Sequence, residues 1–384
     1  MTKICVVTGS RAEYGLLSQL MNIIKNSLSF ELQLLVTGSH LNHLHGNTIS
    51  EIKNDGFDIS KRVDLGLTDD TPASVVKSAG RGMSGFSDAM RSLDPDILLV
   101  LGDRYEIFSS VFCALILGIP VAHIHGGEIT EGAFDDSIRH SITKMSHWHF
   151  VAAKEYKNRV VQLGENPERV FNVGGLGVDS IKNINLLPKN KLTKKFGINF
   201  KEKNILITYH PVTLSGDYEN TGLINLLNFL EQTQDIFFIF TMPNADPGYE
   251  IIKKLKKDFV NNNIDRAIYF DSMGHKNFLS TMNCVDAIVG NSSSGILEAP
   301  TFKIATINIG ERQEGRLKAK SIIDCSNDIE SIRKAFKKIY SEKFQAKLLK
   351  VKNPYGNGNA AKKIMSILQN IQIPSSLKKK FYEI

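Results

Sequence analysis

The sequence predicts an α/β protein built from two Rossmann-like domains facing each other across a cleft. Short runs rich in Val, Ile and Leu alternate with amphipathic segments along the whole chain, the grammar of β-α units on parallel sheets. Most of these runs end in Gly, Ser, Asp, His or Glu, at the sheet edge where open α/β sheets bind ligands. A polar, Lys-rich stretch from Asn183 to Asn204 breaks the pattern at mid-chain, and 384 residues exceed what one hydrophobic core ordinarily organises.

The first domain, residues 1–182, holds the strands KICVVTGS from Lys3, LQLLVTGSH from Leu32, DILLVLGDR from Asp96, IPVAHIHGGE from Ile119, HWHFVAA from His147 and RVFNVGG from Arg169. Helical patterns such as GLLSQLMNIIKNSL and YEIFSSVFCALILG lie between them. The second domain, residues 183–365, repeats the grammar with NILITYHPVT from Asn204, IFFIFTMPN from Ile236, RAIYFDS from Arg266, AIVGNSSSG from Ala287 and IATINIGER from Ile304. Residues 366–384 form a tail expected to pack back on the first domain.

A composition of 42% hydrophobic and 23% charged residues is that of an ordinary globular protein. No apolar run approaches the roughly 20 residues a membrane span needs. The N-terminal MTKICVVTGS enters a strand almost at once, without the layout of a signal peptide. Cys5, Cys113, Cys284 and Cys325 are scattered in apolar surroundings and read as buried small hydrophobes of a reducing compartment, so the cytoplasm is the expected location. The formal charge of +7 raises the question of nucleic acid, but no aromatic-interleaved basic stripe or zinc spacing accompanies the lysines. A basic surface that draws in an anionic small substrate fits better.

For phosphate, the strongest signal is GNSSSGILEAP, Gly290 to Pro300, where a strand ends in Gly-Asn, three serines follow and a helix begins near Ser294. Such residues make an anion cradle or simply cap the helix. The following motif, Ile309 to Arg316, adds Arg312 and Arg316 near the same edge, and two arginines favour a diphosphate. TGSRAEYG exposes Arg11 at a strand-to-helix turn. For proton transfer, Asp103 follows an apolar strand as either helix cap or catalytic group. Glu128 and Asp135 stand at neighbouring strand ends, where crowded carboxylates become acid–base pairs. Asp135 with Arg139, and Asp136 with His140, are spaced to pair on one helix face. The competing metal reading rests on His123-Ile124-His125, whose imidazoles share one strand face, with Glu128 as a third ligand. His210, at a strand end before Pro211, can meet a phosphate or shuttle a proton.

Taken in order, TGSRAEYG, VTGSH, LGDRYEIF, HIHGGE, DDSIRHSITKMSH, FNVGGLGVD, YHPVT, GNSSSGILEAP and INIGERQEGR resemble the hydrolysing UDP-N-acetylglucosamine 2-epimerases of bacterial sialic acid synthesis. The resemblance implies a glycosyltransferase-B type of fold and a reaction without metal or other cofactor. In that reaction carbon 2 of the sugar loses its proton, UDP departs to leave a glycal, and water adds with inversion at carbon 2 to release N-acetylmannosamine. By motif position, Asp103 and Asp135 correspond to acid–base carboxylates and His210 to a histidine facing the diphosphate. Arg11, Ser292, Ser293, Ser294, Glu298 and Arg312 correspond to nucleotide contacts, Glu298 holding the ribose. Arg104, Arg139, Asn291 and Arg316 are taken with them as substrate contacts. Many members carry Glu where this chain has His125, so either His125 or Glu128 is the third proton-transfer group, Glu128 being favoured. The expected partners are UDP-N-acetylglucosamine and UDP, with assembly as a homodimer or homotetramer. A diacetylated 6-deoxy sugar nucleotide, linked to UDP or GDP, is the alternative substrate. A non-hydrolysing epimerase, a retaining glycosyltransferase and a sugar-nucleotide sensor are the rival functions.

Overall fold

The computed structural model describes residues 1–41, 48–69, 71–130, 133–212, 220–243 and 248–384. Within the motifs quoted above, Thr213 and Asn244 lie outside the described residues. The chain forms two compact units, the first of Met1–Glu128, Asp135–Lys182 and Tyr355–Ile384, the second of Ile129–Phe134 and Asn183–Pro354.

Unit 1 carries strands β1 (Thr2–Thr8), β2 (Phe30–Thr37), β3 (Lys61–Val63), β4 (Ile97–Leu101), β5 (Val121–Ile124), β6 (Trp148–Val151) and β7 (Val170–Asn172). Its helices are α1 (Arg11–Lys25), α2 (Ile49–Asn54), α3 (Pro72–Leu93), α4 (Tyr105–Leu117), α5 (Asp135–Met145), α6 (Lys154–Gln162) and α7 (Leu176–Asn183). The sheet is parallel in the order β3-β2-β1-β4-β5-β6-β7. Alternation along β1 explains its two covered faces. Ile4 and Val6 pack with Leu17, Leu20 and Met21 of α1, while Cys5 and Val7 pack with Phe86 of α3 and Val111 of α4. Each such fully buried aliphatic side chain contributes about 1.5–3 kcal/mol.

Unit 2 carries α8 (Lys189–Phe196), β8 (Lys203–Thr208), α9 (Thr221–Glu231), β9 (Ile236–Thr241), α10 (Tyr249–Asn262), β10 (Ala267–Phe270) and α11 (His275–Met282). It continues with β11 (Ala287–Gly290), α12 (Ser293–Leu297), β12 (Ala305–Ile309), β13 (Ile322–Cys325), α13 (Ile329–Ile339) and α14 (Glu342–Leu348). Its parallel order, β10-β9-β8-β11-β12-β13, is that of a doubly wound sheet. Ile205 and Ile207 face one core with Leu223 and Phe336, and Leu206 faces the other with Leu192 and Met282.

In each sheet the connections reverse direction between two neighbouring strands, β1 and β4 in unit 1 and β8 and β11 in unit 2. The loops leaving those strands diverge and open a crevice at their carboxyl ends. Arg11 and Asp103 follow the first pair, His210 and Asn291 the second.

Two edge strands escape the sequence reading. In β3, Lys61 and Arg62 are exposed and only Val63 is buried. In β13 the pattern IIDC keeps Asp324 in solvent. The C-terminal return begins at Tyr355 instead of residue 366. The last helix, α15 (Ala360–Asn370), lays Ala360, Ala361, Ile364, Met365 and Leu368 on the core beneath α1. Its start is anchored by Asp179 Oδ2, which accepts the Ala361 N–H at 2.6 Å. Beyond it, Lys379 Nζ reaches Glu165 Oε2 at 2.8 Å, and His149 Nε2 lies 3.1 Å from the same oxygen. Cys5, Cys113 and Cys325 are buried and Cys284 is half-buried, all as free thiols. Among the described residues no helix is long and apolar enough to cross a membrane.

Candidate active site

In unit 1 the carboxyl edge of the sheet is organised by Arg139, which is 1% exposed. Its Nη2 pairs with Asp103 Oδ2, and its Nη1 donates to the Glu128 carbonyl at 3.0 Å and to Asp136 Oδ1 at 3.3 Å. One guanidinium therefore ties the loop after β4, the loop after β5 and the start of α5. Asp103 keeps 23% of its side chain exposed, enough to meet a ligand, and Asp135 opens α5 half-buried. Asp136 also faces His140, at 3.4 Å.

Two histidines place these carboxylates. His123 is fully buried, and its Nε2–H donates to the Gly102 carbonyl at 2.8 Å, just before Asp103. Burial pushes its imidazole down to about 3, so the ring is neutral, with Nδ1 3.3 Å from Thr143 Oγ1. His125 lies beyond the end of β5 with φ 65°, a left-handed backbone that costs a non-glycine residue about 1 kcal/mol or more. Its Nε2 accepts the Leu176 N–H at 3.4 Å, and its Nδ1 lies 3.0 Å from Glu128 Oε1. Glu128 is only 2% exposed.

This geometry separates the two histidines. Strand alternation puts His123 and His125 on one face only if the strand continues, and the positive φ ends it. The two rings have separate partners, and among the described residues no group of three or more His, Cys, Asp or Glu is arranged to hold a metal ion. Arg139 also takes longer-range partners, Asp103 and the Glu128 carbonyl.

The turn after β1 brings Arg11 to the same sheet edge. Glu13 accepts the Gly9 N–H at 2.7 Å, and Arg104 Nε pairs with Glu106 Oε1 at 2.6 Å. The sequence reading omitted both buried glutamates, although Ser10 to Glu13 carries a capping-box spacing that marks Glu13.

In unit 2 the corresponding edge is a backbone clamp. Asn291 is fully buried; its Oδ1 accepts the His210 N–H at 2.7 Å and its Nδ2 donates to the His210 carbonyl at 2.9 Å. Arg312 Nε donates to the Pro211 carbonyl at 3.1 Å and Nη1 to the Asn291 carbonyl at 3.3 Å. Gln313 Nε2 donates to the same carbonyl at 2.9 Å. Arg312 thus shapes the turn beside His210 as well as lining it. Gly290 has φ 137°, and any Cβ there would run into the Thr208 carbonyl, so glycine is required where β11 meets β8. Ser292 caps α12, its Oγ accepting the Ser294 N–H at 3.3 Å, while Ser293 and Ser294 form the first turn. Glu298 is 6% exposed at the end of that turn, and Arg316 Nη2 donates to Thr130 Oγ1 at 3.3 Å. Lys256, fully buried on α10, donates to the carbonyls of Tyr209 at 2.8 Å and Thr241 at 2.9 Å. Its signal in the sequence is a lysine on the apolar stripe Tyr249, Ile252, Lys256, Phe259.

The sequence profile of the family described as UDP-N-acetylglucosamine 2-epimerase matches residues 22–369. A Campylobacter jejuni protein named GDP/UDP-N,N'-diacetylbacillosamine 2-epimerase (hydrolyzing) is 42% identical, covering 100% of this chain and 99% of its own. The Escherichia coli polysialic acid biosynthesis protein P7 is 38% identical over 100% of this chain and 98% of its own. Among solved structures, the Neisseria meningitidis UDP-GlcNAc 2-epimerase bound to UDP-GlcNAc superposes with a TM-score of 0.79 at 21% identity, covering 96% of this chain and 100% of that one.

Proposed function

The chain belongs to the UDP-N-acetylglucosamine 2-epimerase family, and from that premise we propose that it is a hydrolysing 2-epimerase converting UDP-N-acetylglucosamine to N-acetylmannosamine and UDP. The observation that carries this reading is the convergence of Asp103, Asp136 and the Glu128 carbonyl on the one buried guanidinium of Arg139. Such a hub holds proton-transfer groups in a fixed arrangement at the edge of the sheet where the chemistry is expected.

In this scheme Asp103, the partly exposed partner of Arg139, takes the proton from carbon 2. The bond from carbon 1 to the diphosphate oxygen breaks, a carbon 1–carbon 2 double bond forms, and UDP leaves. Water then adds its oxygen to carbon 1, and carbon 2 receives a proton on the opposite face from Asp135 or Glu128. Glu128, not His125, is the third proton-transfer group, because the Nε2 of His125 is occupied by the Leu176 N–H. His125 positions Glu128. Unit 2 supplies the nucleotide contacts, with His210, Ser293, Ser294 and Arg316 toward the diphosphate and Glu298 toward the ribose. Asn291, Ser292 and Arg312 shape that turn, and within unit 1 Arg11 and Arg104 are cationic substrate contacts near Asp103. Cationic donors at a departing diphosphate stabilise the charge that develops there.

A second reading, a diacetylated 6-deoxy sugar nucleotide as substrate, is supported by the 42% identity to the diacetylbacillosamine enzyme. One experiment separates them: each sugar nucleotide is incubated with the protein in deuterated water, and the products are read by mass and NMR. The proposal expects free UDP and N-acetylmannosamine carrying deuterium at carbon 2. Accumulation of UDP-N-acetylmannosamine, or release of UDP without deuterium at carbon 2, would overturn it.

A further inference from the structure

Two buried carboxylates beside Asp103 have no part in the scheme above. Glu13 is 5% exposed and Glu106 is 1% exposed. Both lie against Gly9: Glu13 Oε2 accepts its N–H at 2.7 Å, and a Cβ built there would stand 2.6 Å from Glu106 Cγ. Gly9 is thus glycine because the Glu106 side chain fills the space. Glu13 Oε1 and Glu106 Oε2 are buried with no hydrogen-bond partner among the described residues. The cation that meets them is Arg104, whose Nε is 2.6 Å from Glu106 Oε1. Two ionised carboxylates facing one guanidinium in a buried site leave a charge uncompensated, which proteins avoid by keeping one of them protonated.

We propose that Glu13 and Glu106 are positioning residues, with a proton held on Glu13, that together keep Arg104 and the Gly9–Arg11 turn in place for the reaction at Asp103. The inference rests on the epimerase reading for its activity readout, but the proton on Glu13 is a property of the protein alone. The remaining groups facing the pair agree with it. Asp103 on the loop after β4 adds negative charge, and Arg104 opposes it. His40 donates no charge, since burial pushes its ring down to about 4, and it sits 3.1 Å from Thr8 Oγ1 at the end of β1. Burial first, and then Glu106, pushes the Glu13 carboxyl up to about 8. Above that pH Glu13 ionises, and Arg104 must balance two carboxylates when it is needed by an anionic substrate.

The test uses the full chain and two variants, Glu13→Gln and Glu106→Gln, each of which leaves a single carboxylate beside Arg104. For the unaltered protein kcat/KM should fall roughly tenfold per pH unit above about pH 8, the mark of one essential proton. Both variants should lose that limb, falling less than about twofold over the same range. A purely structural pair would lower activity evenly at every pH, so an unchanged limb in both variants refutes the proposal. Infrared difference spectra provide a readout independent of turnover. The unaltered protein should show a protonated carboxyl band at neutral pH that titrates away in alkali and is missing from Glu13→Gln. Absence of that band from the unaltered protein also refutes the proposal. Lack of turnover on either sugar nucleotide with the band present instead counts against the epimerase reading.

Discussion

Replacing Lys256 by Met separates two effects at one buried atom. Lys256 is fully buried, and burial alone pushes its amine down to about 7. In the unfolded chain the same amine keeps its proton to about pH 10.4. Between those values the unfolded state binds more protons than the folded one, so stability rises with pH. From about pH 7 to about pH 9, at about 1.4 kcal/mol per pH unit and with half the folded amines charged at the start, the gain is about 2 kcal/mol. Methionine has a similar shape and carries no proton, but it leaves the Tyr209 and Thr241 carbonyls without their donor. That loss, about 1 kcal/mol for each bond, is constant across the window. The assay is denaturant unfolding of both proteins at the two pH values, read as the difference between them. Groups common to both proteins cancel, including Glu13, whose raised carboxyl makes stability fall as pH rises toward about 8. The unaltered protein should gain about 2 kcal/mol on Lys256→Met over the window. A flat difference would mean that Lys256 keeps its charge when folded, and the reasoning would fail.

Asp103→Asn should lower kcat by about 10²- to 10⁴-fold, the worth of one proton-transfer group, with UDP binding retained by calorimetry. Wild-type turnover in this variant would remove Asp103 from the chemistry. Arg139→Met should cost about 3 kcal/mol in unfolding experiments, because Asp103 and Asp136 lose a partner that is itself buried. A variant as stable as the parent would show that the hub is not organised by that guanidinium.

The local layers of the protein are legible in the sequence. β1 and β8 are read from apolar runs, and their terminal residues, from Gly9 to Arg11 and from Tyr209 to Pro211, announce the edge where ligands meet the sheet. β3 is not legible, because two of its three residues are exposed charges and an edge strand has one neighbour to pair with. His125 shows where local pattern misleads: alternation assigns it to the strand, and one positive φ redirects it to Glu128 and Leu176. Lys256 is visible only as an anomaly on an apolar stripe.

By itself, the sequence determined the two parallel sheets and the carboxyl-edge positions of Asp103, Asp135, His210 and Arg312. These follow from periodicity and from residues within a few places of one another. Tertiary structure alone decided which charges meet. Arg139 and Asp103 are 36 residues apart, and Asp179 and Ala361 are 182 apart. No local pattern encodes such pairs, because a buried charge takes its partner from whatever the packed sheet and helices bring within reach. The capping-box spacing that marks Glu13 says nothing of Glu106, and only the closeness of both to Gly9 shows two carboxylates facing one arginine.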